Sequence, residues 1–409
     1  MMKKSIWLVF LVVILACRQE PVKTYTLRDD VSFLASDSLK GRETGTANEL
    51  MAAGYLAERM ENLGLSPAGK ADTYFQTFTF KPKKDPHQEI QYVEASDSTI
   101  TGTNVIGFID NKADKTVILG AHYDHLGMGG QGSLHRGEAA IHNGADDNAS
   151  GVAVLLQLAH KLKKSELEGN NYLIMAFSGE EIGLLGSNYF AKNPTVDLEE
   201  VNYMINMDMV GRLRDSKVLS VSGTGTAPIW PQVLNSTNQD FELVLKESGV
   251  GPSDHTSFYL QDIPVLHFFT GQHEDYHKPT DDADKLNYEG MEKITSYIME
   301  VITELNDDDK LAFKKTKNES EEVPRFKVAM GVIPDYLYDG EGMRIDGVSE
   351  EKPAQRAGLQ KGDVVVQMGD STVTDMMSYM RALSAFEEGD STSVVIDRNG
   401  EKITVQITF

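Results

Sequence analysis

Apolar and polar positions change period several times along the chain. Between Thr46 and Leu63, the residues Leu50, Ala53, Ala57 and Met60 recur at helical spacing and Gly64 follows as a stop, so an amphipathic helix is predicted there. From about Val105, short apolar runs alternate with helical stretches. Thr116–Ala121, Tyr172–Phe177, Tyr203–Met207 and Ile263–Phe268 read as strands, and Ala149–Leu162 and Gly183–Ala191 as helices. This alternation predicts an α/β domain with a largely parallel central sheet, in which functional residues collect where strands end and loops begin. Asp307–Pro324 interrupts the pattern with three consecutive aspartates, then Lys314, Lys315 and Lys317, then Glu319, Glu321 and Glu322, and reads as a charged linker. Beyond it, residues 325–409 hold short β-rich runs, a helix around Asp375–Phe386 and a hairpin signal at Arg398-Asn399-Gly400, which predicts a small second domain.

Composition adds two constraints. A chain of 409 residues exceeds one compact core, and its 40% hydrophobic and 25% charged content is that of a folding globular chain. With 62 acidic against 39 basic residues the formal charge is −23, which repels phosphate backbones and argues against nucleic-acid binding. The one cysteine, Cys17, excludes a disulfide framework and a cysteine-rich zinc site. Lys3 and Lys4 precede an apolar run from Ile6 to Ala16 that is too short to span a bilayer comfortably. The ending Ile14-Leu15-Ala16-Cys17 resembles a bacterial lipobox. Residues 1–16 are therefore expected to be a lipoprotein signal peptide and Cys17 the lipidated residue that anchors an exported protein to a membrane of the bacterial cell envelope.

Five segments carry the chemistry: Ala121-His122-Tyr123-Asp124-His125, Gly144-Ala145-Asp146-Asp147-Asn148-Ala149-Ser150-Gly151, Ser178-Gly179-Glu180-Glu181-Ile182-Gly183, Asn206-Met207-Asp208-Met209, and His277 within Asp275–Thr280. Two imidazoles and several carboxylates without thiolates suit zinc, and one carboxylate can bridge two ions. A further carboxylate must then stand beside the metals to take a proton from water, and adjacent glutamates at a strand end diverge so that one can ligate while the other faces substrate.

Together the segments resemble metallopeptidase family twenty-eight, the co-catalytic dizinc aminopeptidases, in that family's order from about His122 to Asp281. The resemblance implies a zinc-exopeptidase-like three-layer α/β/α sandwich with a mixed, mainly parallel sheet over residues 17–306, and two Zn2+ per chain. It implies that His122 and Asp208 bind one ion, Glu181 and His277 the other, that Asp147 bridges, that Glu180 is the general base, and that Asp124 fixes the His122 tautomer. Asp146 is expected to serve a turn or helix cap, and His125 and His142 to be loop or supporting groups. Asp254 and His255 are expected to support the substrate site, with Ser253 as a candidate helix cap. Some relatives have a tyrosine just before that segment. Here Gly249-Val250-Gly251-Pro252 stands there, so the second zinc, Tyr259, Tyr276 or another donor would stabilise the oxyanion.

In residues 325–409, Pro353–Leu359 followed by Gly362-Asp363-Val364 resembles a bacterial PDZ domain. The resemblance implies a peptide-binding loop and strand at Met330-Gly331-Val332-Ile333, although Pro334 cannot donate to a ladder there. Packing on the catalytic unit or meeting another protein is the competing role for this domain. The chain is expected to be an exopeptidase that removes N-terminal residues from peptides. A carboxypeptidase or glutaminyl cyclase of the same fold, or a non-catalytic PDZ-type binding lipoprotein, are the alternatives. A carboxypeptidase would want an arginine cluster, for which Arg136 and Arg212 are isolated candidates.

Overall fold

The computed structural model describes residues 25–82, 91–130, 132–317, 327–335, 337, 338, 340–349 and 352–409. The expected signal peptide, Cys17 and the end of the charged stretch lie outside these residues. No helix among the described residues is long and apolar enough to cross a membrane.

The larger unit is built on strands β1 (Ser66–Pro67), β2 (Phe75–Phe80), β3 (Ile100–Ile109), β4 (Thr116–His122), β5 (Asn171–Phe177), β6 (Val201–Met207), β7 (Val218–Ser222), β8 (Glu242–Lys246) and β9 (Val265–Phe269). They form one sheet in the order β1-β3-β5-β4-β6-β9-β7-β8, with β2 also on β3. The central pairs β5/β4, β4/β6 and β6/β9 are parallel, whereas β3 joins β5 and β7 joins β9 antiparallel. Strands β4, β5 and β6 are buried at every position, as a sheet covered on both faces requires. One face packs against helices α1 (Leu27–Leu34), α2 (Ala47–Asn62), α3 (Gly151–Lys164), α5 (Trp230–Thr237) and α7 (Tyr288–Glu304). The other face packs against α4 (Leu185–Lys192) and α6 (His255–Tyr259) through Phe190, Phe258 and Tyr259. The result is the three-layer α/β/α sandwich expected from the sequence.

Helix α2 corrects one expectation. Thr46 caps it by accepting from the Glu49 N–H, but Leu50 is 55% exposed and the buried face is Glu49, Ala52, Ala53, Leu56, Ala57, Arg59 and Met60. The helix is rotated so that a carboxylate, Glu49, points inward, and a purely apolar reading of the stripe could not foresee that turn. The charged stretch is also corrected as far as Lys317. Leu311 N–H donates to Asn202 Oδ1 at 2.8 Å, Lys314 N–H to the Thr226 carbonyl at 2.8 Å, and the Phe313 ring packs 5.6 Å from that of Tyr259. This segment is a strap on the larger unit, because two apolar side chains and free backbone donors outweigh its charge.

The smaller unit has its own core, including Met330, Ile345, Leu359, Val365, Val394 and Ile396. Its sheet runs β10 (Val332–Pro334), β11 (Met343–Val348), β12 (Val364–Met368), β14 (Ser391–Arg398), β15 (Glu401–Thr408), with β13 (Ser371–Thr372) on β12. The hairpin expected at Arg398-Asn399-Gly400 joins β14 to β15, and Asn399 and Gly400 both take positive φ, as a type I′ turn demands. Helix α8 (Pro353–Arg356) is short, and α9 (Met376–Leu383) is capped by Asp375. Strand β10 lies at the sheet edge, and its register with β11 shifts between Ile333 and Pro334. Arg214 of the larger unit donates to Asp346 Oδ2 at 2.8 Å and to the Gln272 carbonyl at 2.9 Å, so the smaller unit touches the loop that leads to His277.

The α2 face is testable by urea denaturation. Leu56→Ala should cost about 2–5 kcal/mol, whereas Leu50→Ala should stay within about 0.5 kcal/mol of the parent. The reverse order would refute the assigned face.

Candidate metal centre

Four parallel strand ends deliver the site. Strand β4 ends on His122, β5 is followed by Ser178-Gly179-Glu180-Glu181, β6 by Asp208, and β9 leads into the loop that carries His277. Asp147 lies in the tight turn that opens α3. Each apolar run is long enough to cross the sheet, and the polar residue comes where the strand leaves it.

The five expected metal-binding residues and Glu180 are brought together. His122 Nε2 lies 3.4 Å from Asp147 Oδ1 and 3.4 Å from Asp208 Oδ1. His277 Nε2 lies 3.3 Å from the other Asp147 oxygen, Oδ2, and 3.2 Å from Glu181 Oε2. Glu180 Oε2 stands 4.0 Å from His122 Nε2. The second nitrogen of each ring faces a carbonyl: His277 Nδ1 is 2.8 Å from Gly132 O, and His122 Nδ1 is 3.3 Å from Asp124 O. With those nitrogens donating, both neutral rings aim an Nε2 lone pair at carboxylate oxygens. Acceptors facing acceptors at this range repel unless a proton or a metal cation lies between them. A tetrahedral zinc with bonds near 2.0–2.1 Å spaces neighbouring ligand atoms about 3.3 Å apart, so the donor set fits such an ion on either side of Asp147.

Electrostatics agree. Burial alone would lower the His122 imidazole, but Glu180 and Asp208 hold it well above its ordinary range. Burial likewise opposes His277, which Glu181 and Asp147 push up to about 11. Burial raises Glu180 well above a usual carboxylate, with Asp208, Asp254 and Glu181 adding to the effect against His122. Burial would raise Glu181 too, and the Asp147 charge adds to that, but His125 and His277 bring it down to about 2. The pocket therefore favours positive charge.

Several supporting roles differ from expectation. The Asp124 carboxylate is 3.7 Å from His122 Nδ1, farther than the Asp124 carbonyl, and it accepts instead from Thr44 Oγ1 at 2.9 Å and from the Glu180 N–H at 3.1 Å. It thus orients the glutamate pair as much as the imidazole. Asp146 is not a helix cap. Its oxygens accept from Gly211 N–H at 2.6 Å and from His273 Nε2 at 3.1 Å, and Asn148 Oδ1 takes the Gly151 N–H at 3.0 Å in its place. Ser253 does not cap α6 either, since its hydroxyl accepts from Asn206 Nδ2 at 2.8 Å. Asp254 and His255 are fully buried, burial pushes Asp254 up to about 7, and the His255 ring stacks on His267 at 4.6 Å. The Tyr259 hydroxyl is committed to the Thr316 backbone, which removes it as an oxyanion donor, whereas Tyr276 stacks on His277 at 3.8 Å. Arg212 pairs with Asp275 at 3.0 Å. His142 bonds Ser133 and the Ala140 carbonyl within its loop.

Three anchors had no sequence signal. Arg42, fully buried, donates to the carbonyls of Leu34, Asn143 (2.6 Å), Tyr123 (2.7 Å) and Gly144 (3.0 Å), and so joins the loops that carry His122 and Asp147. Burial lowers it to about 10, against the pull of Asp124 and Asp147. Asp281 Oδ2 accepts from the N–H groups of Asp146 and Asp147 at 2.9 and 3.1 Å. Glu49 accepts from Ser178, from the Thr103 N–H at 3.2 Å and from the Gly45 N–H at 2.6 Å, beneath the strand end before Glu180.

Comparison with known proteins adds the following. Residues 104–302 match the model of Peptidase family M28, and residues 312–409 match that of the PDZ domain. The chain is 26% identical over 210 residues to the alkaline phosphatase isozyme conversion protein of Escherichia coli (strain K12), covering 51% of this chain and 56% of the relative. It is 27% identical over 221 residues to aminopeptidase YwaD of Bacillus subtilis (strain 168), covering 50% and 45%. The chain thus spans about half the length of these relatives. The zinc aminopeptidase BSAP from Bacillus subtilis superposes with a TM-score of 0.54 at 18% identity, over 73% of this chain and 98% of that one. Porphyromonas gingivalis glutaminyl cyclase gives 0.53 at 19% identity, over 68% and 97%. These superpositions establish the fold.

Arg42 can be tested by itself. Arg42→Met removes the donor it supplies to four buried carbonyls. At about 1 kcal/mol or more for each, the unfolding free energy should fall by at least about 3 kcal/mol in urea titrations. A loss under about 1 kcal/mol would mean that the clamp does not hold the loops.

Proposed function

Taking as premise a chain that carries a peptidase family M28 domain and a PDZ domain, we propose that it is a two-zinc exopeptidase that removes N-terminal residues from peptides. One observation carries this reading: the two oxygens of Asp147 face two different imidazoles, each flanked by its own second carboxylate, with Glu180 left beside them. His122, Asp208 and Asp147 would hold one ion, and His277, Glu181 and Asp147 the other. Bound there, such a pair of ions supplies Lewis acidity toward a scissile carbonyl and lowers the pKa of water.

The chain's own residues do the rest. Glu180 has the raised proton affinity of a group that takes a proton from water and returns it to the leaving amine. Its backbone N–H is fixed by Asp124, which keeps the carboxylate beside the pocket instead of inside a ligand set. Water adds across the amide, the C–N bond breaks, and the proton ends on the new amine. The excess of carboxylates also favours a substrate that brings a free α-ammonium group. Arg212 Nη2 is paired with Asp275 at 3.0 Å, so that nitrogen is not free for a substrate carboxylate.

We also infer that the enzyme works at the bacterial cell envelope, tethered by a lipid on Cys17, because residues 1–17 combine a basic start, a short apolar run and a lipobox-like ending. The PDZ domain would meet peptides along the Met330–Ile333 segment, where β10 is an edge strand.

Three outcomes follow. Zinc-loaded protein should cleave a free peptide and its C-amidated form but not its N-acetylated form. Cleavage blocked only by amidation would establish a carboxypeptidase, and conversion of an N-terminal glutamine without peptide-bond cleavage a cyclase. Glu180→Gln should lower kcat by about 10²–10⁴-fold while zinc content stays at the parent level, and full activity in that variant would remove the assigned base. Mass spectrometry of the mature protein from a bacterial membrane fraction should find a lipid on Cys17, and an unmodified Cys17 would refute the anchor.

A further inference from the structure

We propose that His125 is a positioning residue for Glu181, holding that carboxylate at the angle from which it and His277 can share an ion. This rests on the two-zinc reading above. His125 lies three residues after His122 and is only 2% exposed. Its Nδ1 is 2.5 Å from Glu181 Oε1 and 4.0 Å from Asp147 Oδ2. His277 Nε2, in contrast, stands 3.2 and 3.3 Å from the other Glu181 oxygen and the same Asp147 oxygen.

These distances separate the two imidazoles by role. An ion ligated by two atoms at about 2.0–2.1 Å sets them about 3.3 Å apart in tetrahedral geometry. The His277 spacings meet that requirement. A nitrogen 2.5 Å from a carboxylate oxygen is at the short extreme of hydrogen bonding, well inside the spacing of two ligands on one tetrahedral ion. A proton must lie between the two atoms, because two lone pairs cannot face each other at that distance, and with Glu181 ionised as a ligand it is Nδ1 that donates it. The other nitrogen, Nε2, meets no hydrogen-bond partner among the described residues, so a proton placed there would be a buried donor without an acceptor.

The ring is fixed from two further sides. The His125 backbone N–H donates to the Arg42 carbonyl at 3.4 Å, which ties the backbone that carries the ring to the residue whose side chain forms the clamp. Gly144 approaches so closely that a Cβ there would lie 2.5 Å from His125 Cδ2, and its φ is +56°. A ring locked in this way binds Glu181 Oε1 and leaves Oε2 to face His277. Hydrogen bonds of this kind commonly sustain metal affinity by about 10–100-fold.

The test is a Zn2+ titration of the metal-stripped full chain in competition with a chromophoric chelator, which reads number and affinity of ions without reference to activity. Asparagine places a donor amide where Nδ1 stands, and leucine places a methyl there. Parent protein should bind two ions. His125→Leu should bind one with parent affinity and the other about 10–100-fold more weakly, and His125→Asn should recover most of the loss. Parent affinities in His125→Leu would overturn the proposal. So would equal loss of one ion in both variants, which would make the imidazole itself a ligand. If His125→Leu does not fold by circular dichroism, His125→Ala takes its place: one ion bound about 10–100-fold more weakly upholds the proposal, and parent affinity for both ions overturns it. A parent that binds fewer than two ions fails the two-zinc reading itself, and the positioning role with it.

Discussion

Carboxylates crowd one buried pocket in this protein, and a protein interior tolerates such crowding only when positive charge and donors compensate it. Arg42 supplies both at the base of the site. Its guanidinium is fully buried, and every partner it holds is a backbone carbonyl, two of them in the loop that leads to Asp147 and one at Tyr123, directly after His122. It is thus at once a cation beneath acidic side chains and a strut between the loops that present them. Asp281 and Asp124 act in the opposite sense. Each spends its carboxylate on backbone or hydroxyl donors, and so fixes the positions of Asp147 and Glu180.

The division of labour follows from the fold. A parallel sheet covered on both faces can hold only apolar strands, so the chemistry is displaced to the strand ends. The ends of β4, β5 and β6 converge, and the longer loop after β9 brings His277 across from the far side. What remains is the placement of side chains within a few tenths of an ångström, and that falls to buried polar ties between loops. The smaller unit touches one of those loops through Arg214 and Asp346, next to the segment that runs from Gln272 to His277.

The elements that could be read from sequence were those with long apolar runs or fixed turn chemistry. Strands β4, β5, β6 and β9, helix α3 and the Asn399-Gly400 hairpin all announce themselves locally. Among the site residues, those at strand ends were legible because their motifs are contiguous. Arg42 was not, because its partners lie 8, 81, 101 and 102 residues away and are backbone groups with no side-chain signature. Glu49 was hidden by its helix, where a buried carboxylate turned the apolar face away from Leu50. The strap that includes Phe313 was hidden by the charge around it. Asp146 and Ser253 looked like local caps but are tied to distant segments, because in a buried turn the nearest free donor need not be the next helix.

The central claim is that Asp147 stands between two cations, each completed by one imidazole and one further carboxylate. Anomalous diffraction at the zinc absorption edge, from crystals of the full chain grown with zinc, tests it most directly. Two peaks should appear, one enclosed by His122, Asp147 and Asp208 and the other by His277, Asp147 and Glu181, with His125 outside the second. A single peak, or a second peak bonded to His125 in place of His277, would contradict the account.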